Sequence, residues 1–323
     1  GRGEAKDPAR LKEKVAGLNL EWWMYLAGLG MVALCWLAIQ NQSLVGYMLG
    51  GFGGALVLYV IFIAVAKLPA HDRDRIFAAL FLILTSIIFW ALFEQAGSSL
   101  NLFTDRHVDR GGVPASVFQS INAIYIILLG PVFAILWTWL GRHRREPSTP
   151  LKFGMGVVQV GLGFLVLVWG AEWVGVDVPT PVIFIFLVYL FHTTGELCLS
   201  PVGLSAMNRL APVHMASLIM GTWFFASATG NFAAGLIASA TGGEGLEGAE
   251  AGKTVVLDVY QTVGVFAMGV GVAVMIVSPL IKKLMHLDTL TDDDVDHSLA
   301  GQQELAEPQA AGMDPRPEQK PRA

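Results

Sequence analysis

The fold is decided by apolar stretches such as residues 47–67, which read YMLGGFGGALVLYVIFIAVAK. A run of about 20 apolar residues is what a helix needs to cross the hydrocarbon core of a bilayer. Lipid offers the backbone no hydrogen-bond partners, so spanning segments must be helices or closed barrels. The apolar residues here are continuous and do not alternate with a period of two, which favours a helix. The stretch therefore predicts a transmembrane helix.

Similar stretches recur along the chain, separated by short polar loops. They predict eight spans, at residues 22–41, 47–67, 76–103, 115–140, 152–175, 179–206, 213–240 and 257–286. Of the 323 residues, 54% are hydrophobic and 15% are charged, whereas a soluble domain carries about 25% charged residues. We therefore predict an all-α polytopic protein with the lipid bilayer as its solvent. The third and sixth spans are over-long, which indicates tilt or local kinks.

Lysine and arginine are distributed unevenly between the two sets of loops. One set holds only Arg106, Arg110 and Lys253, whereas the opposite set holds about 15 basic residues before the C-terminal tail is counted. Positively charged loops stay in the cytoplasm. We therefore expect the richer set to be cytoplasmic and, with an even number of spans, both ends of the chain as well.

The two ends of the chain differ from the apolar middle. No signal peptide pattern precedes the first span, and we expect a piece of a longer protein in which residues 1–21 are a cytoplasmic linker. Residues 287–323 are polar and partly acidic, a composition typical of a disordered tail. The net charge of −5 gives no reason to expect a nucleic-acid partner. Cys35 and Cys198 fall inside predicted spans and imply neither a disulfide framework nor a metal cluster.

Two glutamates and a histidine lie at membrane depth, where ionisable groups are costly and usually face a cavity or a partner. Glu94 has Trp90, Gly97 and Ser98 at helical spacing, which predicts a polar and small stripe suited to lining a cavity. Burial of a neutral carboxylate is the alternative interpretation of Glu94. Glu196 in the sixth span is the second candidate ligand group. The histidine is His192, which lies on the same span.

The sixth span carries a polar stripe beside a weak point in the helix. His192, Glu196 and Ser200 follow at i, i+4 and i+8. Pro201 lacks an amide hydrogen and Gly203 is conformationally loose, which suits a gate that bends below a bound cargo. A packing kink would explain the same residues. For His192, a hydrogen bond inside the bundle is a sufficient explanation.

Two further spans carry candidate ligand residues. Asn122 has Gln119 and Tyr125 on its helix face, and either interhelical hydrogen bonding or ligand contact would account for it. Trp223 in the seventh span is typical of an interface anchor, with packing against a ligand as the alternative. No zinc-type H-E-x-x-H, Walker-type loop or G-x-S-x-G elbow is found. Carboxylates along a water path without such machinery favour ion-coupled transport over an enzyme, and no cofactor or metal is expected.

Several segments, in order along the chain, resemble the proton-dependent oligopeptide transporters of the major facilitator superfamily. The resemblance covers residues 20–286 and is carried by FWALFEQAGSS (89–99), QSIN (119–122), LGPVF (129–133), GELCLSPVGLS (195–205) and MGTWF (220–224). Members of this family have two six-helix halves, and bacterial members carry two extra helices between the halves. The resemblance implies an inserted hairpin at 22–70 and the second half at 71–286. The first six helices, with their Glu-x-x-Glu-Arg signature, are then missing from this chain.

The resemblance also implies roles for the candidate residues. Glu94 would couple transport to protons, Glu196 would pair with the amino terminus of the substrate, and Asn122 would bind the peptide backbone. Trp223 would form part of a side-chain pocket, and Ser200 would line the cavity. The cationic residues that receive the substrate carboxylate belong to the missing half.

The expected function is proton-coupled symport of di- and tripeptides across the bacterial inner membrane by alternating access. Two alternatives stay open. One is a transporter of the same superfamily for nitrate, amino acids or drug-like molecules, and the other is a membrane subunit that does not transport.

Overall fold

The computed structural model describes residues 11–242 and 252–287 of the chain. These residues are predominantly helical, which confirms the predicted all-α fold. The helices are α1 (Leu20–Gln40), α2 (Gln42–Lys67), α3 (Ala70–Phe93), α4 (Ser99–His107), α5 (Ala115–Phe118), α6 (Ser120–Arg142), α7 (Thr149–Val174), α8 (Ile183–Leu210), α9 (Ala216–Ala240) and α10 (Lys253–Leu284). Short 3₁₀ turns occupy Glu94–Gly97 and Val213–Met215.

Seven segments in the described part of the chain are long and apolar enough to cross a membrane. They are Leu20–Gln40, Gln42–Lys67, Ala70–His107, Ala115–Arg142, Thr149–Val174, Ile183–Leu210 and Lys253–Leu284. The remaining predicted span, residues 213–240, forms the 25-residue helix α9 but is not among these seven. The sequence of α9 is rich in Gly, Ala, Ser and Thr. These small residues allow α9 to pack closely on α3. The Cβ of an alanine at Gly230 would lie 2.6 Å from Trp90 Cβ.

The helices form two compact units, which divide within α2 between Ala55 and Leu56. In the first unit, β1 (Lys14–Val15) and β2 (Leu18–Asn19) pair as a two-residue antiparallel ladder before α1. The turn between them uses positive φ at Ala16 and Gly17, as tight hairpins require. Helix α1 buries none of its side chains. A helix that exposes an apolar surface all round is suited to lipid and not to water.

The second unit is organised around α7, which packs along both α8 and α10. Gly154 and Gly161 of α7 face Gly271 and Gly264 of α10. A Cβ at Gly161 would lie 2.7 Å from Gly264 O, and a Cβ at Gly154 would lie 2.8 Å from Gly271 O. Small residues allow this backbone approach, which drives helix association in lipid where the hydrophobic effect does not.

Polar contacts hold the loops at one end of the second unit. β3 (Val108–Asp109) pairs in parallel with β4 (Thr180–Pro181). Lys253 Nζ donates to the carbonyls of Gly175 (3.2 Å) and Val178 (2.7 Å). The loops that follow α4 and α7 and the start of α10 therefore meet at this end. Arg106, Arg110 and Lys253, the basic residues of the loop set with few positive charges, lie at this end.

A second polar contact joins α3 to the last described residues of the chain. His286 Nε2 lies 3.2 Å from Asp74 Oδ2, and the rings of His71 and His286 meet edge to face at 4.6 Å. This contact connects the start of α3 to the end of α10, at the end of the unit opposite to Lys253.

Candidate functional site

Glu94 lies where the long third span breaks. Helix α3 ends at Phe93, the 3₁₀ turn covers Glu94–Gly97, and Ser98 leaves helical geometry at φ −128° and ψ −103° before α4 begins at Ser99. The Ser98 hydroxyl donates to the backbone carbonyl of Glu94 at 3.3 Å. The over-long span predicted at residues 76–103 thus contains a kink, and a partly buried carboxylate stands at that kink.

The predicted stripe of Trp90, Glu94, Gly97 and Ser98 crosses the helix break. A 3₁₀ turn eclipses side chains three residues apart, so Gly97 follows Glu94 on one face. Ser98 has a non-helical backbone but stays next to Glu94, because its hydroxyl donates to the Glu94 carbonyl. Trp90 packs toward α9, against Gly230.

Glu196 and Asn122 form a direct contact between α8 and α6. Asn122 Nδ2 donates to Glu196 Oε2 at 3.1 Å and to Thr193 Oγ1 at 3.1 Å. Asn122 and Glu196 are partly buried, whereas Thr193 is fully buried. The predicted interhelical hydrogen bond of Asn122 is therefore present, and its partner is the second candidate carboxylate. Thr193 was not singled out from the sequence, although it lies one helical turn before Glu196.

The two candidate carboxylates lie on neighbouring helices. The ring of Phe93, the residue before Glu94, lies 6.2 Å from the ring of His192, one helical turn before Glu196. Among the described residues, neither carboxylate takes part in the ion pairs that the structure shows. Ionisable groups at membrane depth usually face a cavity or a partner, so both carboxylates are candidates to bind a cation or a proton.

His192 lies in the core and not in the cavity. The side chain is 1% exposed, and its ring lies 4.9 Å from the ring of Phe164 and 6.2 Å from that of Phe93. Its imidazole carbon Cδ2 would be 2.9 Å from a Cβ placed at Gly163 of α7. His192 and Glu196 share a helix face, but His192 packs between helices while Glu196 meets Asn122. The hydrogen bond that the sequence predicted for His192 is not among those of the described structure, in which both ring nitrogens are buried without a partner; ring packing holds the side chain instead.

Helix α8 continues without interruption through Pro201, from Ile183 to Leu210. Gly203 is required by packing: a Cβ there would lie 2.3 Å from Trp223 Cη2 and 2.9 Å from Phe153 Cζ. Trp223 itself is 2% exposed, so its indole fills the interior between α7, α8 and α9. Ser200 is partly buried on the same helix as Glu196. The structure thus brings Asn122 and Glu196 together and places Trp223 apart from them, against Gly203.

A cavity of about 460 Å³ lies between α6, the start of α7 and α8; Leu197 lines it, whereas Glu94, Asn122, Glu196 and Ser200 do not. Pro201, Trp137 and Lys152 are among its lining residues. Lys152 is buried, pairs with Glu146, and holds its ammonium 4.2 Å from the centre of the Trp137 ring. In residues 11–242 and 252–287 no group of three or more His, Cys, Asp or Glu could hold a metal ion. The candidate polar groups of the site are the carboxylates of Glu94 and Glu196, the amide of Asn122, and the hydroxyls of Thr193 and Ser200.

Comparisons with known proteins identify the relatives of this chain. Residues 54–251 match the family model described as the POT family. The peptide transporter YePEPT of Yersinia enterocolitica is 40% identical over 208 residues, which cover 62% of this chain and 40% of that protein. The dipeptide and tripeptide permease B of Aeromonas hydrophila is 28% identical over 270 residues, covering 81% of this chain and 53% of the permease. The chain thus spans about half the length of the relatives it matches.

Solved structures of the same family resemble the fold. A crystal structure of a POT peptide transporter with bound sulfate is 28% identical with a TM-score of 0.66, and covers 81% of this chain and 53% of that one. The structure of a mutant with bound alafosfalin is 27% identical with a TM-score of 0.66, covering 84% of this chain and 55% of that one.

The matched region exceeds half of the chain, and the chain belongs to the POT family of membrane transporters. This is a family of transporters and not a class of enzymes.

Proposed function

We propose that the chain is the C-terminal part of a transporter that moves di- and tripeptides together with protons across the bacterial inner membrane. In this proposal residues 22–70 are an inserted hairpin, residues 71–286 are the second six-helix half, and a separate six-helix half completes the molecule. Both ends of the chain are cytoplasmic in this arrangement. The names of the relatives, a peptide transporter and a dipeptide and tripeptide permease, support the choice of cargo.

The observation that carries the proposal is the hydrogen bond between Asn122 and Glu196. A short peptide is a zwitterion with an ammonium group at one end and amide groups along its backbone. A carboxylate answers an ammonium group by a charge-assisted hydrogen bond, and the side-chain amide of asparagine both donates and accepts. Asn122 donates to Glu196 at 3.1 Å, so an ammonium group bound by Glu196 would replace a neutral donor with a charged one.

Glu94 takes the role of proton carrier in this mechanism. Its place in the 3₁₀ turn between α3 and α4 puts a titratable group at a break in a transmembrane segment. Protonation removes its negative charge, which weakens its attraction to a cation in the absent half and its repulsion of Glu196. The proton supplies about 2.3 kcal/mol per 100 mV of membrane potential. Access alternates as the two halves rock around the site near the bilayer midplane.

The remaining candidate residues support this cycle from α8 and α9. Ser200 lies one turn after Glu196 on α8 and lines the cargo path. Pro201 and Gly203 form the gate: Pro201 removes a backbone hydrogen bond, and Gly203 allows α8 to lie against Trp223. The Trp223 ring is buried against Gly203. Trp223 therefore reaches the cargo only when α8 moves away and the contact between Gly203 and Trp223 is broken.

The test is the substitution Glu94→Gln in a full-length transporter that contains this chain, reconstituted in liposomes. Proton-driven uptake of labelled Ala-Ala should be lost while exchange of labelled for unlabelled peptide persists. Glu172→Gln, which neutralises an exposed glutamate near the end of α7, should retain both activities. Driven uptake at the wild-type rate in Glu94→Gln would contradict the role of this residue, and an inability of Ala-Ala to compete for transport would contradict the cargo.

A further inference from the structure

A buried relay of hydrogen bonds crosses the helix break from α10 to α9. Tyr260 donates its hydroxyl to Ser99 Oγ at 3.0 Å, and Ser99 donates to Gln95 Oε1 at 2.6 Å. The Gln95 amide donates to Ala234 O of α9 at 3.1 Å and to Ala91 O of α3 at 2.9 Å. The side chains of Gln95, Ser99 and Tyr260 are 0%, 2% and 0% exposed. We call these three residues the break relay.

The direction of each bond in the break relay is fixed. The two donors of the Gln95 amide group face two backbone carbonyls, which can only accept. A flipped amide would turn its oxygen toward both carbonyls, where like partial charges repel. The amide oxygen therefore faces Ser99, whose proton goes to it, and Ser99 accepts in turn from Tyr260. In a site without access to water, each lost bond leaves a polar group unsatisfied.

The break relay spans the helix break and ties it to both α9 and α10. Gln95 lies inside the 3₁₀ turn, directly after Glu94, and Ser99 is the first residue of α4. The bond between them spans the non-helical Ser98. Gln95 is anchored on α9 through Ala234, and Ser99 is anchored on α10 through Tyr260. Backbone rotation in the turn, which would re-aim the Glu94 side chain, must stretch or break these bonds.

Tyr260 is itself held in place by aromatic packing. Its ring lies 4.8 Å from the ring of Phe164 on α7 and 5.9 Å from that of Phe103 on α4. The hydroxyl is therefore presented to Ser99 from a side chain with little freedom to move. Removal of the hydroxyl alone leaves this packing in place, because phenylalanine keeps the ring.

We propose that Tyr260 and Ser99 are positioning residues for Glu94. They lock the Gln95 amide, which holds the turn in one conformation and fixes the direction in which the Glu94 carboxylate points. The residues act on Glu94 through the backbone and do not touch cargo. The consequence for transport rests on the proposed function, whereas the locking of the turn is a property of this chain alone.

The experiment compares Tyr260→Phe and Ser99→Ala with wild type in the full-length transporter. Hydrogen–deuterium exchange of the amides in residues 94–99 measures the locking, and Ala-Ala uptake from pH 5 to 8 measures the coupling. The control is Thr104→Val on α4, which removes a buried hydroxyl whose bond in the described residues is to Leu100 O of its own helix. Loss of one buried hydrogen bond corresponds to about a three- to tenfold change in an equilibrium.

Three results support the proposal together. Both variants should exchange residues 94–99 about three- to tenfold faster than wild type, with α7 unchanged. The pH dependence of driven uptake should shift while peptide exchange persists. The double variant should be no more affected than the worse single variant, because both changes open the same relay. Thr104→Val should leave the pH dependence where wild type has it.

Other results overturn it. Unchanged deuterium exchange at residues 94–99 in Tyr260→Phe would show that the relay does not lock the turn, whatever the cargo. An equal fall in driven uptake, exchange and protein stability, with an unmoved pH dependence, would show a structural role only. A wild-type protein that takes up no peptide would instead defeat the proposed function, and the deuterium exchange would still decide the locking.

Discussion

The interface between α7 and α10 gives a quantitative prediction about the substitution Gly271→Ala. The new Cβ would lie 2.7 Å from Val158 Cγ2 and 2.8 Å from Gly154 O, where ordinary contact begins at 3.4 Å. The valine methyl group can rotate away, but the carbonyl belongs to the helix backbone and cannot. The two helices must therefore separate by roughly 0.6 Å at this point, and a gap of about 0.5–1 Å forfeits a quarter to a half of each neighbouring contact.

The expected loss is about 1–3 kcal/mol of the free energy of unfolding, the usual cost of overpacking a filled interior. Gly269→Ala is the matched control, because the same change on the same helix meets nothing within 4 Å. It should stay within about 0.5 kcal/mol of wild type.

The assay is denaturation in mixed micelles with a fluorogenic thiol probe, in a Cys35→Ser background. Cys198 is 1% exposed and reacts only on unfolding, whereas Cys35 is exposed from the start. If Gly271→Ala proved no less stable than Gly269→Ala, the close approach of α7 and α10 would be refuted.

Two predictions concern the site. Asn122→Asp replaces a donor 3.1 Å from Glu196 with a second carboxylate, so the apparent affinity for Ala-Ala at pH 7 should fall about tenfold or more, and part of the loss should return at low pH. Equal affinity in Asn122→Asp and wild type across the pH range would contradict this. Gly203→Ala places a Cβ 2.3 Å from Trp223 Cη2 and should destabilise the protein by about 1–3 kcal/mol, measured with the same Cys198 probe. Trp223→Phe in the same chain should restore part of that loss, and a double variant no more stable than Gly203→Ala would show that the two residues are not in contact.

The comparison of sequence with structure shows which features depend on local chemistry. Apolar runs of sufficient length predicted every membrane helix in the described chain, since the bilayer acts on each stretch separately. The run at residues 213–240 gave a helix whose small residues serve packing against α3, and composition alone did not distinguish that role. Residues 1–10 of the predicted linker and residues 288–323 of the predicted tail lie outside the described residues, whereas the rest of the linker contains β1 and β2.

The break at Glu94 illustrates what periodicity could not supply. The excess length of residues 76–103 indicated a kink, but not its position. The hydrogen bonds across the break join Gln95, Ser99 and Tyr260, and Tyr260 is 161 residues away from Ser99 along the chain. Thr193 was missed for the same reason, because its value as a partner of Asn122 depends on how α6 and α8 meet.

The sequence by itself determined that the chain is a membrane protein with long apolar helices. It also singled out Glu94 and Glu196 as the carboxylates at membrane depth. These features follow from the free-energy cost of placing polar groups in hydrocarbon, because that cost depends on each residue separately. Only the tertiary structure decided that Asn122 meets Glu196, that Trp223 packs on Gly203, and that a relay from α10 closes the break beside Glu94. Such contacts depend on helix rotation and spacing, which glycines such as Gly161 and Gly271 set through close packing.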